Sequence, residues 1–275
     1  MKRETRAKMK GYLEGFIHGL LDNYTPKSAP SAKRRFVDFD EPAVALEYLK
    51  EGSYKPFHLA LLPIEIIRIS AFVNGFETSL GNAFEECARL FALERYPSAL
   101  RGYKLVGELY DDAETRIKDL LEDVGDNTIR NNYPDLVRQV VKTGDKLIAR
   151  TRKVDLYLQD ASGHQFFFEM KGPKPNKEQA LSVTSRLLQI HAILHATPPM
   201  VQTFYAMAYN PYSDEVYRHS ISLKYLDMKN QVLVGNEFWK LVGGSTAYKE
   251  LLELCQEVRE EKGKDIIDRL AFDLS

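Results

Sequence analysis

Three charged residues near the middle of the chain, Asp155, Glu169 and Lys171, have the types and spacing needed for metal-assisted chemistry on a phosphate. Residues 154–158 and 166–171 are rich in apolar and aromatic side chains and predict two short strands, separated by a turn-forming D-A-S-G sequence. In a hairpin centred on that turn, Asp155 stands opposite Glu169, and cross-strand neighbours have Cβ atoms about 5 Å apart. Side chains alternate along a strand, so Glu169 and Lys171 share one face. The sequence therefore predicts that two carboxylates and an ammonium group converge.

Two carboxylates this close repel each other, and a hard divalent cation relieves that repulsion. Mg²⁺ prefers one or two carboxylates together with water and substrate phosphate oxygens. The bound metal acidifies a water molecule, and a nearby lysine can orient that water, take its proton or stabilise the developing charge. Phosphodiester hydrolysis uses this set most directly. The alternative interpretation is an amphipathic hairpin whose outer charges are merely solvated.

The acid-x-Lys pattern ends an apolar strand and is followed at once by a G-P-x-P loop, residues 172–175. In this respect the chain resembles the PD-(D/E)xK nuclease superfamily, and within it the type II restriction endonucleases. The Asp, Glu and Lys of that family match Asp155, Glu169 and Lys171, although Val154 stands where proline is usual. The resemblance implies that Asp155, Glu169 and the backbone carbonyl of Met170 bind the metal. It also implies that Lys171 positions or activates the attacking water.

A second segment, residues 75–96, has apolar side chains at helical spacing and predicts a helix that packs on the sheet. Its sequence S-L-G-N-A-F-E, which ends at Glu85, resembles a helix of restriction enzymes whose Glu approaches the metal site. That resemblance implies that Glu85 supports the metal, with Glu86 as the less favoured substitute. The alternative is a core helix with no role in catalysis.

The basic loop after Lys171 predicts contacts with a nucleic-acid backbone. Asn176 can cap a helix that runs from Lys177 to about His195, and the free amides at such an N-terminus suit a phosphate. The K-G-P-K-P-N-K run also resembles restriction enzymes of the TdeIII type. The residues predicted to bind DNA are Lys174, Asn176, Lys177, Gln179 and Arg186.

Composition limits the class of protein but does not identify it. The net charge of -1 does not indicate a nucleic-acid-binding protein, although residues 2–10, 33–35 and 150–153 are locally basic. No apolar run reaches the ~18 residues needed to cross a membrane, and the N-terminus lacks a signal-peptide pattern. Nucleotide-binding motifs are missing, so we expect no nucleotide cofactor. Two cysteines inside helical patterns favour a reducing cytoplasm, and the resemblance to restriction enzymes implies that it is a prokaryote's.

The remaining elements follow from periodicity and from helix-breaking residues. We expect a mainly helical N-terminal part (1–145), a catalytic α/β core (146–226) and a helical C-terminal part (227–275) within one nuclease domain. His191 and His195 are four residues apart but lack the glutamate of the metalloprotease pattern, and are predicted to be structural. Helices are predicted at 3–24, 41–50, 107–125, 238–241 and 248–274, and strands at 201–209 and 217–226.

The resemblance implies an α/β restriction-endonuclease-like fold, with a central mixed β-sheet flanked by helices. The expected activity is Mg²⁺-dependent hydrolysis of double-stranded DNA at a short palindromic site, with Mn²⁺ as a substitute metal. The enzyme is expected to be a homodimer, and its site to be a GC-rich interrupted palindrome such as GGNCC. Two alternatives stay open at this point. One is a repair or recombination nuclease of the same superfamily that recognises DNA structure, and the other is a non-catalytic DNA-binding module.

Overall fold

A computed structural model describes residues 1–24, 57, 61–141 and 144–271 of the chain. Its centre is a five-stranded sheet in which the strands follow the order of the sequence. The first three strands are antiparallel neighbours, and the last three are parallel. The predicted mixed sheet is thus confirmed. The strands are β1 (Ser98–Tyr110), β2 (Leu147–Gln159), β3 (Gln165–Met170), β4 (Val201–Met207) and β5 (Val232–Val234).

Eight helices of the described residues accompany the sheet, and the N-terminal part is helical as predicted. The helix expected at 3–24 is confirmed, and the one expected at 75–96 is longer toward its N-terminus. None of the described helices combines the length and apolar character that crossing a membrane requires. The helices are α1 (Arg3–Tyr24), α2 (Ile64–Ala92), α3 (Asp111–Asp126), α4 (Tyr133–Val141), α5 (Lys177–Leu194), α6 (Ser220–Tyr225), α7 (Asn236–Gly243) and α8 (Ala247–Ala271).

The chain divides into two compact units. The first, residues 1–5 and 84–250, contains the whole sheet. The second, residues 6–83 and 251–275, contains parts of three of the described helices. In this second unit Leu21 and Phe72 share a small apolar core, and Lys10 forms ion pairs with Glu257 and Glu261 at 2.7 Å each.

At the β2–β3 hairpin both faces of the sheet are covered by apolar packing, which fixes the hairpin in place. On one face Tyr157 and Phe167 lie 5.0 Å apart, in a core shared with Leu187 of α5. On the other face Phe168 stacks on Phe204 at 5.5 Å. Buried aromatic pairs of this kind contribute about 1 kcal/mol each beyond the area they bury. Helix α5 connects β3 to the parallel strand β4, so the predicted strand–helix–strand unit is confirmed.

One predicted element is wrong, and another has different bounds. The strand expected at 217–226 is instead the short helix α6, where the Tyr217 hydroxyl binds the Ser222 side chain and donates to the carbonyl of Pro173. The helix expected at 107–125 begins only at Asp111, because residues 107–110 complete β1 in its pairing with β2. The predicted helix at 41–50 and the basic residues 33–35 lie outside the described residues.

Candidate active site

The β2–β3 hairpin has the predicted register. Leu156 pairs with Phe168 and Leu158 with Phe166, and this register continued by one residue brings Asp155 across from Glu169. The connecting turn is held by Asp160, whose carboxylate accepts hydrogen bonds from the backbone amides of Ser162 and His164. The local sequence thus determines which residues of the two strands face each other.

Lys171 lies between the two carboxylates. Its Nζ donates to Asp155 Oδ2 at 2.9 Å and is 3.4 Å from Glu169 Oε2. Asp155 Oδ2 also accepts a hydrogen bond of 2.8 Å from the backbone amide of Met170. The side chain of Glu169 is almost fully buried, with 1% exposed, and Arg186 NH1 lies 3.3 Å from its Oε2. The predicted convergence of Asp155, Glu169 and Lys171 is therefore present in the structure.

Electrostatic crowding shifts the pKa values of this group. Burial, together with the charge of Asp155, raises the pKa of Glu169 above its ordinary value. Burial alone would lower the pKa of Lys171, but the two carboxylates outweigh it and raise that pKa. Lys171 therefore remains charged. An additional positive charge at the site would stabilise the ionised form of the buried Glu169 carboxylate.

Glu85 of α2 lies near the same site, and the metal-supporting role that the resemblance implies for it stays a prediction. Burial raises the pKa of Glu85, and so does the charge of Asp155, which places the two carboxylates in one electrostatic environment. Arg101 on β1 donates to Glu85 Oε2 from Nε and NH2 at 3.3 and 3.2 Å, and from NH1 to Glu86 Oε2 at 3.3 Å. Glu86 is also bound by Arg89, whose Nε is 2.9 Å from it. Glu85 therefore faces the site, whereas Glu86 is held between two arginines.

Arg101 is the residue near this site that the sequence analysis did not identify. The signal that could have found it is the apolar alternation of residues 98–110, which predicts a strand next to β2. Because Arg101 pairs with Leu156 in the sheet, it lies one residue along the ladder from Asp155.

The residues predicted to bind DNA have different surroundings. Arg186 is at the site itself, beside Glu169. Asn176 and Gln179 form a reciprocal capping box at the start of α5, so the predicted N-cap is confirmed. The ammonium groups of Lys174 and Lys177 lie over the rings of Tyr212 and Tyr225, each at 5.6 Å from the ring centre. Their contact with DNA stays a prediction.

The donor set fits a hard divalent cation of the Mg²⁺ type. Asp155 and Glu169 offer carboxylate oxygens that already share one cationic partner, Lys171. Among the described residues, no three Asp, Glu, His or Cys side chains are grouped closely enough to form a complete metal cage. A cation that keeps several waters and binds substrate phosphate needs only one or two protein carboxylates, as Mg²⁺ does.

His191 takes no part in this site, in agreement with the structural role predicted for it. It is buried, with its Nδ1 2.8 Å from the carbonyl oxygen of Ala196 and its Nε2 3.1 Å from Thr203 Oγ1. Burial lowers its pKa to about 4. Both ring nitrogens have partners, as expected of a neutral core histidine. His195 is the C-cap of α5, with a left-handed backbone.

Comparison with known proteins gives a consistent result over nearly the whole chain. Residues 9–259 match the model of the family described as "Type II restriction endonuclease, HinfI". The type II restriction enzymes HgiBI and HgiEI of Herpetosiphon aurantiacus are each 40% identical to the chain over 274 residues, 97% of each protein. HgiCII of the same organism is 39% identical over 275 residues, again 97% of each protein. The narrower TdeIII-type assignment stays a prediction. The chain belongs to the HinfI family of type II restriction endonucleases, and it is therefore a site-specific deoxyribonuclease.

Proposed function

We propose that the protein hydrolyses phosphodiester bonds of double-stranded DNA at a short palindromic site in a Mg²⁺-dependent reaction. Asp155 and Glu169 would hold the metal, with the backbone carbonyl of Met170 as a further ligand, and Glu85 would support this set. One observation carries the proposal. The Lys171 ammonium lies within 3.4 Å of both carboxylates, so cation-binding oxygens and a proton-handling group meet at one point.

The divalent metal, when bound, acidifies a water molecule and screens charge on the phosphate. The protein residues have separate tasks. Glu169 is buried in the apolar sheet and cannot move far, so it would hold a bound cation in place. Asp155 is oriented by the amide of Met170 and would be a second carboxylate ligand. Mn²⁺ prefers similar oxygen ligands and should substitute for Mg²⁺.

Lys171 acts on the attacking water and the phosphate. Its ammonium is held in place by Asp155, which leaves its remaining N–H groups able to donate to a water or to a phosphate oxygen. A charged donor fixed beside the reacting phosphorus stabilises the charge that develops there, at no cost in reorganisation. Arg186, now beside Glu169, adds a second positive charge at the same place.

A homodimer would match the protein's symmetry to that of the DNA. A palindromic site contains two identical half-sites, and two copies related by a twofold axis read one each. Each copy would then cut one strand with its own Asp155, Glu169 and Lys171. The relatives named above are type II restriction enzymes, which supports cleavage at a defined site.

Digestion of a sequenced plasmid tests the proposal. The purified protein should produce discrete fragments with Mg²⁺ and none with a chelator, and end-mapping should show one short sequence with twofold symmetry. Lys171→Ala should lower the cleavage rate by about 10³-fold or more while leaving binding to the cleaved site in place.

The same digestion distinguishes the alternatives. Random fragments, or cleavage only at branched or damaged DNA, would favour a structure-specific nuclease of the same superfamily. Cleavage by Lys171→Ala at the normal rate would show that this site does not perform the reaction. Lys118→Ala, which changes an exposed lysine on α3 paired with Glu122, is a control and should cut normally.

A further inference from the structure

Beyond the active site, β1 and β2 pair over their full length and have two different faces. Tyr103, Leu105 and Val154 pack into the core that includes α5. Because side chains alternate along each strand, the residues between them point to the opposite face. That face is exposed to solvent, and we call it the outer face of the β1–β2 ladder. It consists of Lys104, Val106, Glu108, Ala149, Thr151 and Lys153.

Two lysines occupy directly opposed positions on this outer face. Lys104 pairs with Lys153 in the ladder, and both are exposed. Cross-strand neighbours have Cβ atoms about 5 Å apart, and like charges at such positions destabilise a sheet. No carboxylate among the described residues forms an ion pair with either lysine. The acid on the same face, Glu108, is four residues along β1 from Lys104, about 14 Å away at the usual rise of a strand.

Gly102 connects this pair to the active site. It stands between the pairs Arg101–Leu156 and Tyr103–Val154, and hence across from Asp155. Lys153 lies over it: a Cβ built on Gly102 would be 3.1 Å from Lys153 Cε and 3.7 Å from its Nζ. The aliphatic part of the Lys153 side chain occupies the space that a side chain at position 102 would fill. Its charge is therefore held at the edge of the catalytic hairpin.

We propose that Lys104 and Lys153 together bind the backbone phosphates that flank the one being cut. This inference rests on the proposed function, because the occupant is the same duplex DNA. The two lysines concentrate positive charge that no described carboxylate pairs with, and a phosphate diester supplies an anion. Two residues of β2, from Lys153 to Asp155, span about 6.8 Å, which equals the axial rise of two phosphates on one strand of the duplex.

Phosphate contacts of this kind are independent of sequence and depend on salt. Each neutralised phosphate adds about 0.9 to the slope of log affinity against log salt concentration. Lys104→Ala and Lys153→Ala should each weaken binding about tenfold at 0.1 M salt. The loss should be the same for cognate and random duplexes, because phosphates carry no sequence information.

The experiment measures binding of an end-labelled duplex of random sequence by fluorescence anisotropy, with chelator present, between about 50 and 200 mM salt. The double variant Lys104→Ala/Lys153→Ala should lower the slope by about 2 relative to the wild type. The double variant Lys104→Arg/Lys153→Arg keeps both positive charges and should retain the wild-type slope. The matched control, Lys118→Ala, removes one exposed positive charge elsewhere and should leave the slope unchanged. An unchanged slope in the alanine double variant would overturn the inference.

Two further measurements separate this surface from catalysis and from folding. In Mg²⁺ the alanine double variant should cut with a raised KM and an unchanged kcat, whereas a change in kcat alone would contradict phosphate binding. Its thermal midpoint should equal or exceed that of the wild type, because a like-charge pair is removed. A wild-type protein that binds with the expected slope but cuts no DNA would refute the proposed catalysis and leave this surface in place.

Discussion

Helix α5 contacts two polar clusters, of which one is charged and the other is neutral. Arg186 reaches the catalytic cluster, where Glu169, Asp155 and Lys171 are charged and crowded. One and a half turns further on, His191 enters a second cluster, in which the Tyr133 hydroxyl binds Thr203 and Thr203 binds the imidazole. That cluster is neutral and fully hydrogen-bonded, whereas the first carries repelling carboxylates.

The contrast separates residues suited to a reaction from residues that stabilise the fold. Buried polar groups that satisfy one another make a core unique and rigid. Buried charges that repel one another are costly, and such perturbed groups are concentrated at functional sites. Both clusters contain residue types that can bind metals. Only in the charged cluster would a bound cation relieve repulsion between carboxylates.

The largest effect should come from Glu169→Gln. Removing this carboxylate should lower single-turnover cleavage by about 10³-fold or more, because a proposed metal ligand is lost. Stability at pH 7 should not fall, because glutamine removes a buried charge, Arg186 is half exposed to water, and Lys171 keeps Asp155. Cleavage assays and thermal unfolding of the same samples check both halves. Glu114→Gln, at the partly exposed pair with Arg150, is the control and should cut normally. A clearly lower thermal midpoint in Glu169→Gln would contradict the contrast between the clusters.

The neutral cluster should make the protein sensitive to acid. The pKa of His191 is about 4 in the folded chain and about 6.5 in an unfolded one, so the unfolded chain binds the extra proton first. The contribution of His191 to the free energy of unfolding is fully present above pH 6.5. It is lost as pH falls through that value toward 4, by up to about 3 kcal/mol. Urea unfolding at a series of pH values measures this slope.

Two histidine variants isolate that effect. His191→Gln should flatten the pH dependence of the unfolding free energy, at a loss of about 2 kcal/mol at neutral pH from broken hydrogen bonds. His195→Asn should leave the dependence as it is, because His195 is exposed and asparagine tolerates the left-handed backbone there. A His191→Gln protein with the wild-type pH slope would assign the acid sensitivity to other groups.

A smaller effect is expected from Arg101→Gln, which removes the residue that orients Glu85. If Glu85 supports the metal as proposed, the Mg²⁺ concentration for half-maximal cleavage should rise about tenfold, the usual loss when a partner of a metal-binding residue is removed. Arg89→Gln is the matched control, because Arg89 binds Glu86 and not Glu85. Equal metal requirements in the two variants would show that Arg101 does not act through Glu85.

Local pattern was sufficient for the parts of the molecule in which neighbours in sequence are neighbours in space. The D-A-S-G turn and the alternating strands determined the pairing of Asp155 with Glu169, and Asn176 and Gln179 determined the start of α5. The same local reasoning failed at residues 217–226, because the contact of Tyr217 with the Pro173 carbonyl joins segments far apart in sequence.

The sequence by itself therefore determined the three central residues of the site and the chemistry they permit, because a hairpin brings them together through local pairing. Only the tertiary structure decided which further charges meet them. Arg101 comes from β1, Glu85 from α2 and Arg186 from α5, and contacts between these distant segments bring their charges to one hairpin. Tertiary structure also decided that His191 is neutral, because burial beside Thr203 and Ala196 removes its access to water.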